Sequence, residues 1–391
     1  MKKAEQFSWG ISRMFRKGQV HIVLVLGARP QIIKSAPLIH LATQSKEISF
    51  DIVHTGQHYD YEMSRIFFDE FQLPDSIANL EVGSGTHAWQ TAQIMIRLEK
   101  ILKSKQPNLI IVPGDTNSTL AGALTAAKMH IPVAHMEAGA RSYDMNMPEE
   151  VNRRLTDHCS SLLFTPTENC TNNLLKEGIK DDSIYQTGDT MYEVLLQQLP
   201  KAQQSTVLEK LCLAPKTYAL LTIHRPENVD NPQNLRNIAT ALVQLKNLPV
   251  IFPVHPRTQK QLQKIKVYRK LQENSHIKLI EPVGYHEMLW LIQNAKVVLT
   301  DSGGVQKEAF WSRTPCITLR ESTEWIETVN LKANFLTGAD TKKILKAVNR
   351  VVEKEETLRK IFEKISNPFG DGKASQKILE TILQYYGKRQ G

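Results

Sequence analysis

Cysteine is scarce in this chain. Four residues in 391 (Cys159, Cys170, Cys212 and Cys316), with no CxxC pair, exclude a disulfide framework and a cysteine-rich zinc site. Such usage fits a reducing, cytoplasmic setting. No apolar run approaches the roughly 18 residues of a membrane span. No strand candidate is followed by a GxGxxG with an acidic residue at the proper offset, which disfavours a nicotinamide dehydrogenase. No histidine cluster has zinc-site spacing, and His54 with His58 is only a weak pair. Low-complexity tracts and short internal repeats are missing as well. Neither a metal nor a redox cofactor is therefore expected.

What is present is an ordinary globular composition, 41% hydrophobic and 23% charged, long enough for two or three domains. The formal charge is +9, of which residues 1–19 hold +4: Lys2, Lys3, Arg13, Arg16 and Lys17 against Glu5. This opening segment lacks the continuous apolar stretch of a secretory signal and reads as a basic extension. Outside it the basic residues are dispersed and not interleaved with aromatics, so nucleic acid is not the expected partner. A phosphate-bearing small substrate calls for positive charge equally well.

Short apolar runs alternate with amphipathic helical patterns from end to end. The first set of strand candidates is His21–Gly27, Phe50–His54, Leu109–Pro113, Pro132–Met136, Leu162–Thr165 and Ile184–Thr187. The second is Tyr218–Ile223, Val250–Val254, Lys278–Glu281, Val297–Thr300, Cys316–Leu319 and Asn334–Leu336. Strand–helix alternation with Val/Ile/Leu-rich strands predicts α/β architecture with parallel sheets covered on both faces. Two sets of six predict two Rossmann-like, doubly wound domains. Polar, proline-punctuated residues near 198–215 mark the break. The expected organisation is an extension (1–19), an N-terminal domain (20–198), a C-terminal domain (199–370) and a terminal helix (371–391) that closes the second domain or crosses back to the first.

In open parallel sheets ligands bind beyond the carboxyl ends of the strands, so the residues following each strand carry the chemistry. After the first strand come Gly27, Arg29, Pro30, Gln31 and Lys34, a tight turn and a helix start with two cations; a solvated basic helix start is the plainer reading. Asp115 follows the third strand, where capping the next helix would be its ordinary job. Glu137 follows the fourth, with no such structural excuse. Pro148 opens a further helix carrying Glu149 and Arg153 four apart, the spacing of a surface ion pair. Asp115 and Glu137 at successive strand ends, with Glu149 at the start of the helix that follows, form a constellation of three carboxylates. Brought together, they raise one another's pKa and supply an acid and a base at neutral pH; the same residues could instead hold magnesium.

The second half suits a nucleoside diphosphate. His224, Arg225 and Pro226 follow its first strand. Asp301, Ser302, Gly303 and Gly304 follow its fourth, where free N–H groups and the helix dipole favour a phosphate. Glu308, one turn on, is placed to take two ribose hydroxyls.

With the motifs GARPQIIK, TGQH, GDTNST, HMEAGARS, MPEEVNR, HRPEN, PVHP, DSGGVQKEA and NPFGDG in this order, residues 20–388 resemble the non-hydrolysing UDP-N-acetylglucosamine 2-epimerase family. The resemblance implies two Rossmann-like domains with the active site in a cleft, as in GT-B glycosyltransferases. It implies a homodimer and interconversion of UDP-GlcNAc and UDP-ManNAc, through anti elimination of UDP to a 2-acetamidoglucal and re-addition. Asp115, Glu137, Glu149 and His224 then match the catalytic residues. Arg29, Lys34, Gln57, His58, Arg153, His255, Ser302, Gly303, Gly304 and Glu308 match substrate contacts.

Departures from the family pattern are Gln31 and Lys307, where many members have Glu, and Trp325-Ile326, where many have Arg-Pro. GARPQ, QKEA and TEW together resemble the branch acting on UDP-2,3-diacetamido-2,3-dideoxyglucuronate, which is the alternative substrate. A GT-B glycosyltransferase is a more distant alternative, disfavoured by the carboxylate trio.

Overall fold

The computed structural model describes residues 19–57 and 61–390; the basic extension up to residue 18 and the candidate His58 lie outside the described residues. Each of the twelve strand candidates forms a strand, with ends that shift by at most two residues. A thirteenth strand, Ala78–Asn79, is only two residues long and too short to show a pattern.

The first sheet contains β1 (Val20–Leu26), β2 (Ile48–His54), β3 (Ala78–Asn79), β4 (Leu109–Pro113), β5 (Val133–Met136), β6 (Leu162–Thr165) and β7 (Ile184–Gln186), in the order β3-β2-β1-β4-β5-β6-β7. The second contains β8 (Ala219–Thr222), β9 (Val250–Pro253), β10 (Ile277–Ile280), β11 (Val297–Thr300), β12 (Cys316–Thr318) and β13 (Asn334–Leu336), in the order β10-β9-β8-β11-β12-β13. Central strands such as β1 (VHIVLVL) and β11 (VVLT) are buried along their whole length. Helices cover both faces, which is why these strands read as unbroken apolar runs. Register pairs Ile22 with Phe50 on one side and with Leu109 on the other, all parallel. In each sheet the order reverses beside its first strand, at β1/β4 and β8/β11, and such switch points open a crevice at the strands' carboxyl ends.

The chain folds into two compact units. One comprises the described residues up to Met136, Leu155–Leu162 and those from Ser375 on; the other comprises Glu137–Arg154 and Leu163–Ala374. In the first, Val23, Val25 and Val53 pack with Ile94, Leu98 and Leu102 of the helix His87–Lys105. The terminal helix Ala374–Gln390 buries Ile378, Leu379 and Ile382, and its Tyr386 hydroxyl donates to the carbonyl of Asn108 at 2.6 Å. In the second unit Leu221, Phe252 and Leu299 pack with Leu235, Ile238 and Leu242. A separate aromatic cluster joins Phe310, Trp325, Phe362 and Phe369. Pro200 does not end its helix; it lies in the last turn of Thr190–Ala202.

Candidate active-site residues

In the first unit the loops after β1, β2 and β4 are laced together by side chains. Gln31, 1% exposed, accepts from the N–H groups of Gly27 (2.9 Å) and Ala28 (3.0 Å) through Oε1. Its amide nitrogen donates to the Pro113 carbonyl (2.8 Å) and to Thr119 Oγ1 (2.9 Å). An amide both accepts and donates here, which an ionised glutamate cannot do. Gln57 Oε1 accepts from Ser118 N (3.1 Å) and Ser118 Oγ (2.6 Å), tying the second loop to the third. Gly27 is needed where these loops meet, because a Cβ there would collide with Thr55 Oγ1 and Ser118 Oγ.

The same loops carry Arg29, Lys34 and Asp115. Arg29 is exposed and its guanidinium lies 4.5 Å from the Phe67 ring centroid. Lys34, on the same helix, is buried, so the solvated-helix-start reading does not hold for it. Asp115 is half-buried, and the cap of the helix Asn117–Lys128 is Thr116, whose hydroxyl accepts from Thr119 N. The ordinary capping job therefore belongs to its neighbour.

The second unit holds the remaining described candidates. Glu137 stands directly after β5 with φ +70°, in the left-handed region. Gly139 follows with φ +79°, and a Cβ there would collide with the Cys170 carbonyl oxygen. Glu137 Oε1 accepts from the Lys307 ammonium at 2.8 Å. Lys307 also donates to Asp189 Oδ2 and lies 3.9 Å from the Trp325 ring centroid. Two of the departures from the family pattern, Lys307 and Trp325, are thus in contact with each other.

Glu149 does not make the surface pair with Arg153 that its spacing suggested; it accepts from Arg225 Nη1 at 2.7 Å. Arg153 donates instead to Glu150 Oε2 (3.1 Å) and Glu324 Oε1 (3.2 Å). Glu150 in turn accepts from both N and Oγ of Ser142, which pins the preceding loop to the start of this helix.

His224 and Arg225 are held by Asp301. That buried carboxylate accepts from the backbone N–H of His224 (3.1 Å), that of Arg225 (3.1 Å) and Asn228 Nδ2 (3.2 Å). His224 Nδ1 lies 3.3 Å from Asp301 Oδ1. Burial alone would raise the Asp301 pKa, but the hydrogen bonds and charge from His224, with the donors of Arg225 and Asn228, hold it below the usual carboxylate range. His255 caps the helix Pro256–Lys264, its Nδ1 accepting from Arg257 N (3.2 Å). Desolvation, with His224 and Arg257 nearby, lowers its pKa.

Ser302 caps the helix Gly303–Trp311, Gly304 is exposed at its amino end, and Glu308 is buried one turn on. These are the expected positions for a phosphate and a polyol. Asp189 lies in none of the sequence motifs, and Asp301, Arg225 and Lys307 lie in motifs that give them no role of their own. Asp301 and Asp189 follow strands β11 and β7 closely, the same positional signal that marked Asp115 and Glu137.

A profile of the family described as UDP-N-acetylglucosamine 2-epimerase matches residues 41–383. A relative from Methanococcus maripaludis, called a UDP-N-acetylglucosamine 2-epimerase homolog, is 48% identical over 92% of this chain and 99% of its own length. The crystal structure of Methanocaldococcus jannaschii UDP-GlcNAc 2-epimerase in complex with UDP-GlcNAc and UDP has a TM-score of 0.86 at 46% identity, covering 94% of this chain and 100% of that one. The UDP-2,3-diacetamido-2,3-dideoxy-D-glucuronate 2-epimerase of Pseudomonas aeruginosa is 42% identical over 93% of this chain and 99% of its own.

Proposed function

This chain belongs to the UDP-N-acetylglucosamine 2-epimerase family, and on that premise we propose that it is an isomerase interconverting UDP-GlcNAc and UDP-ManNAc. A base removes the C2 hydrogen as a proton. The electron pair it leaves forms the C1=C2 bond of a 2-acetamidoglucal, while the anomeric C1–O bond breaks and UDP departs with its electrons. UDP then adds back at C1, and a proton reaches C2 on the opposite face. General acid and base groups are needed on both faces of the ring.

Asp115, Glu137, Glu149 and His224 are the groups proposed for this work. Ser302, Gly303 and Gly304 would receive the diphosphate at a helix amino end, with Glu308 on the ribose. Arg29, Lys34, Gln57, His58, Arg153 and His255 complete the proposed contacts. The observation that carries the reading is Glu137: a carboxylate at a strand's carboxyl end, in left-handed backbone, paired with a buried ammonium.

The diacetamido-uronate is the second reading, supported by the Pseudomonas aeruginosa relative. Lys307 gives it little help. Its ammonium is 2% exposed and already holds two carboxylates, so it offers no free charge to a sugar C5 carboxylate. Among the described residues no helix is long and apolar enough to cross a membrane; a cytoplasmic homodimer is the proposed state.

The test is proton NMR in heavy water with UDP-GlcNAc. Deuterium entering C2 as UDP-ManNAc signals appear is the expected result. Absence of exchange with this sugar, and its occurrence with the diacetamido-uronate, would move the assignment to the second substrate. Release of free N-acetylmannosamine would replace epimerisation by hydrolysis. Light scattering checks the dimer.

A further inference from the structure

Lys307 has no place in the chemistry above, yet it is a fully buried cation whose two anionic partners differ sharply. Asp189 is fixed by the fold. Its Oδ1 accepts from Met191 N at 2.8 Å as the cap of the helix Thr190–Ala202, and its own N–H donates to the Phe369 carbonyl at 2.9 Å. Glu137 is the only member of the trio with appreciable contact with solvent: its side chain is 17% exposed, against 2% for Lys307 and 3% for Asp189. The rings of Trp325 (3.9 Å) and Trp311 (5.8 Å) close around the ammonium. Cation–π attraction and the lack of room both keep it from swinging away.

We propose that Lys307 is a positioning residue for Glu137: anchored by Asp189, its ammonium fixes the Glu137 carboxylate in place and in its ionised form, ready to act on the sugar. The inference rests on the assignment of Glu137 to the reaction. An ammonium within hydrogen-bond distance favours the charged state of a carboxylate, typically by about one to three pH units. Burial works against the Lys307 charge, but Asp189 and Glu137 outweigh it and hold its pKa above the ordinary lysine range.

The other ionisable groups nearby come from two further helices. Glu327, on Ile326–Asn330, has its pKa raised by burial. Cys170, on Glu168–Lys176, is pushed up to about 12 by burial, with Glu327 and Glu137 adding to the effect. Neither supplies a positive charge. Lys307, held between Glu137 and Asp189, offsets the repulsion of these two carboxylates.

Two variants of the full chain test this through opposite signs. Lys307→Met keeps an unbranched apolar stem, one atom shorter, and removes the charge. The acid limb of the kcat–pH profile for C2 exchange should move up by about one to three pH units. At pH 7 kcat should fall at least about tenfold, while KM for UDP-GlcNAc stays within roughly threefold. Asp189→Asn retains a good helix cap but leaves Lys307 to Glu137 alone, so the acid limb should move down. A merely structural role would cost activity in both variants without moving the limb in opposite directions.

Glu137→Gln separates the two levels of the argument. If it turns over normally, the assignment of Glu137 fails and this inference falls with it. If it is inactive while Lys307→Met and Asp189→Asn leave the acid limb unmoved, this inference alone is overturned. Should Lys307→Met fail to fold, Asp189→Asn decides: a downward shift supports the inference, and no shift or an upward one refutes it.

Discussion

Replacing Glu324 by glutamine should destabilise the protein far more than most single substitutions. Glu324 is 2% exposed and serves two arginines. Its Oε1 accepts from Arg153 Nη2 (3.2 Å) and Arg320 Nη2 (3.0 Å), and its Oε2 accepts from Arg320 Nη1 (3.0 Å). Both arginines are themselves nearly buried. Glutamine keeps the shape but removes the charge and turns a donor toward a guanidinium. Arg153 retains Glu150, whereas Arg320 loses its carboxylate partner. Breaking a buried pair from one side costs about 3–5 kcal/mol. With a urea dependence of about 2–3 kcal/mol per molar, the unfolding midpoint should fall by roughly 1–2.5 M at pH 7.

The same pair has a signed pH dependence. Burial alone would raise the Glu324 pKa, but Arg153 and Arg320 overcome it and hold the carboxyl far below the usual range. A depressed folded pKa gives stability that is complete above the unfolded value of about 4.3 and is lost as pH falls below it toward the folded value. The gap between wild type and Glu324→Gln should therefore be constant from pH 7 to about 5 and narrow below about 4. Urea titrations followed by circular dichroism at several pH values would measure it. A midpoint within about 0.3 M of wild type at pH 7 would refute the reasoning, since desolvation would then have cancelled the attraction.

Two further outcomes are expected. Gly139→Ala forces an L side chain into φ +79° and against the Cys170 carbonyl; the backbone conformation alone costs about 1–2 kcal/mol, so a urea midpoint equal to wild type would discount the collision. Asp301→Asn places an amide donor against the N–H groups of the His224–Asn228 loop and should lower kcat on the order of a hundredfold by displacing His224. UDP affinity, measured by calorimetry, should stay near wild type, and an unchanged kcat would mean that Asp301 does not orient His224.

The sequence by itself determined the elements and the chemistry of their ends. Central parallel strands, buried along their length, leave unbroken Val/Ile/Leu runs, and edge strands such as Ile184–Gln186 and Ile277–Ile280 leave shorter, partly polar ones, so twelve strands could be read directly, whereas Ala78–Asn79 has no room for a period. Capping by serine at 302 and proline at helix starts act within a few residues, so the helix start at Gly303 was legible too. Glu137 was legible because an acid directly after an apolar strand lacks a local explanation.

Only tertiary structure decided who pairs with whom. Glu149 has Arg153 four residues away, yet it bonds Arg225; Arg153 reaches Glu324, 171 positions on. Lys307 meets Glu137 and Asp189 across 170 and 118 positions, inside a cage of tryptophans. Local periodicity records which face of an element is buried. It holds no record of which distant charge will lie within about 3 Å once water has been excluded, and that distance sets the strength of each pair.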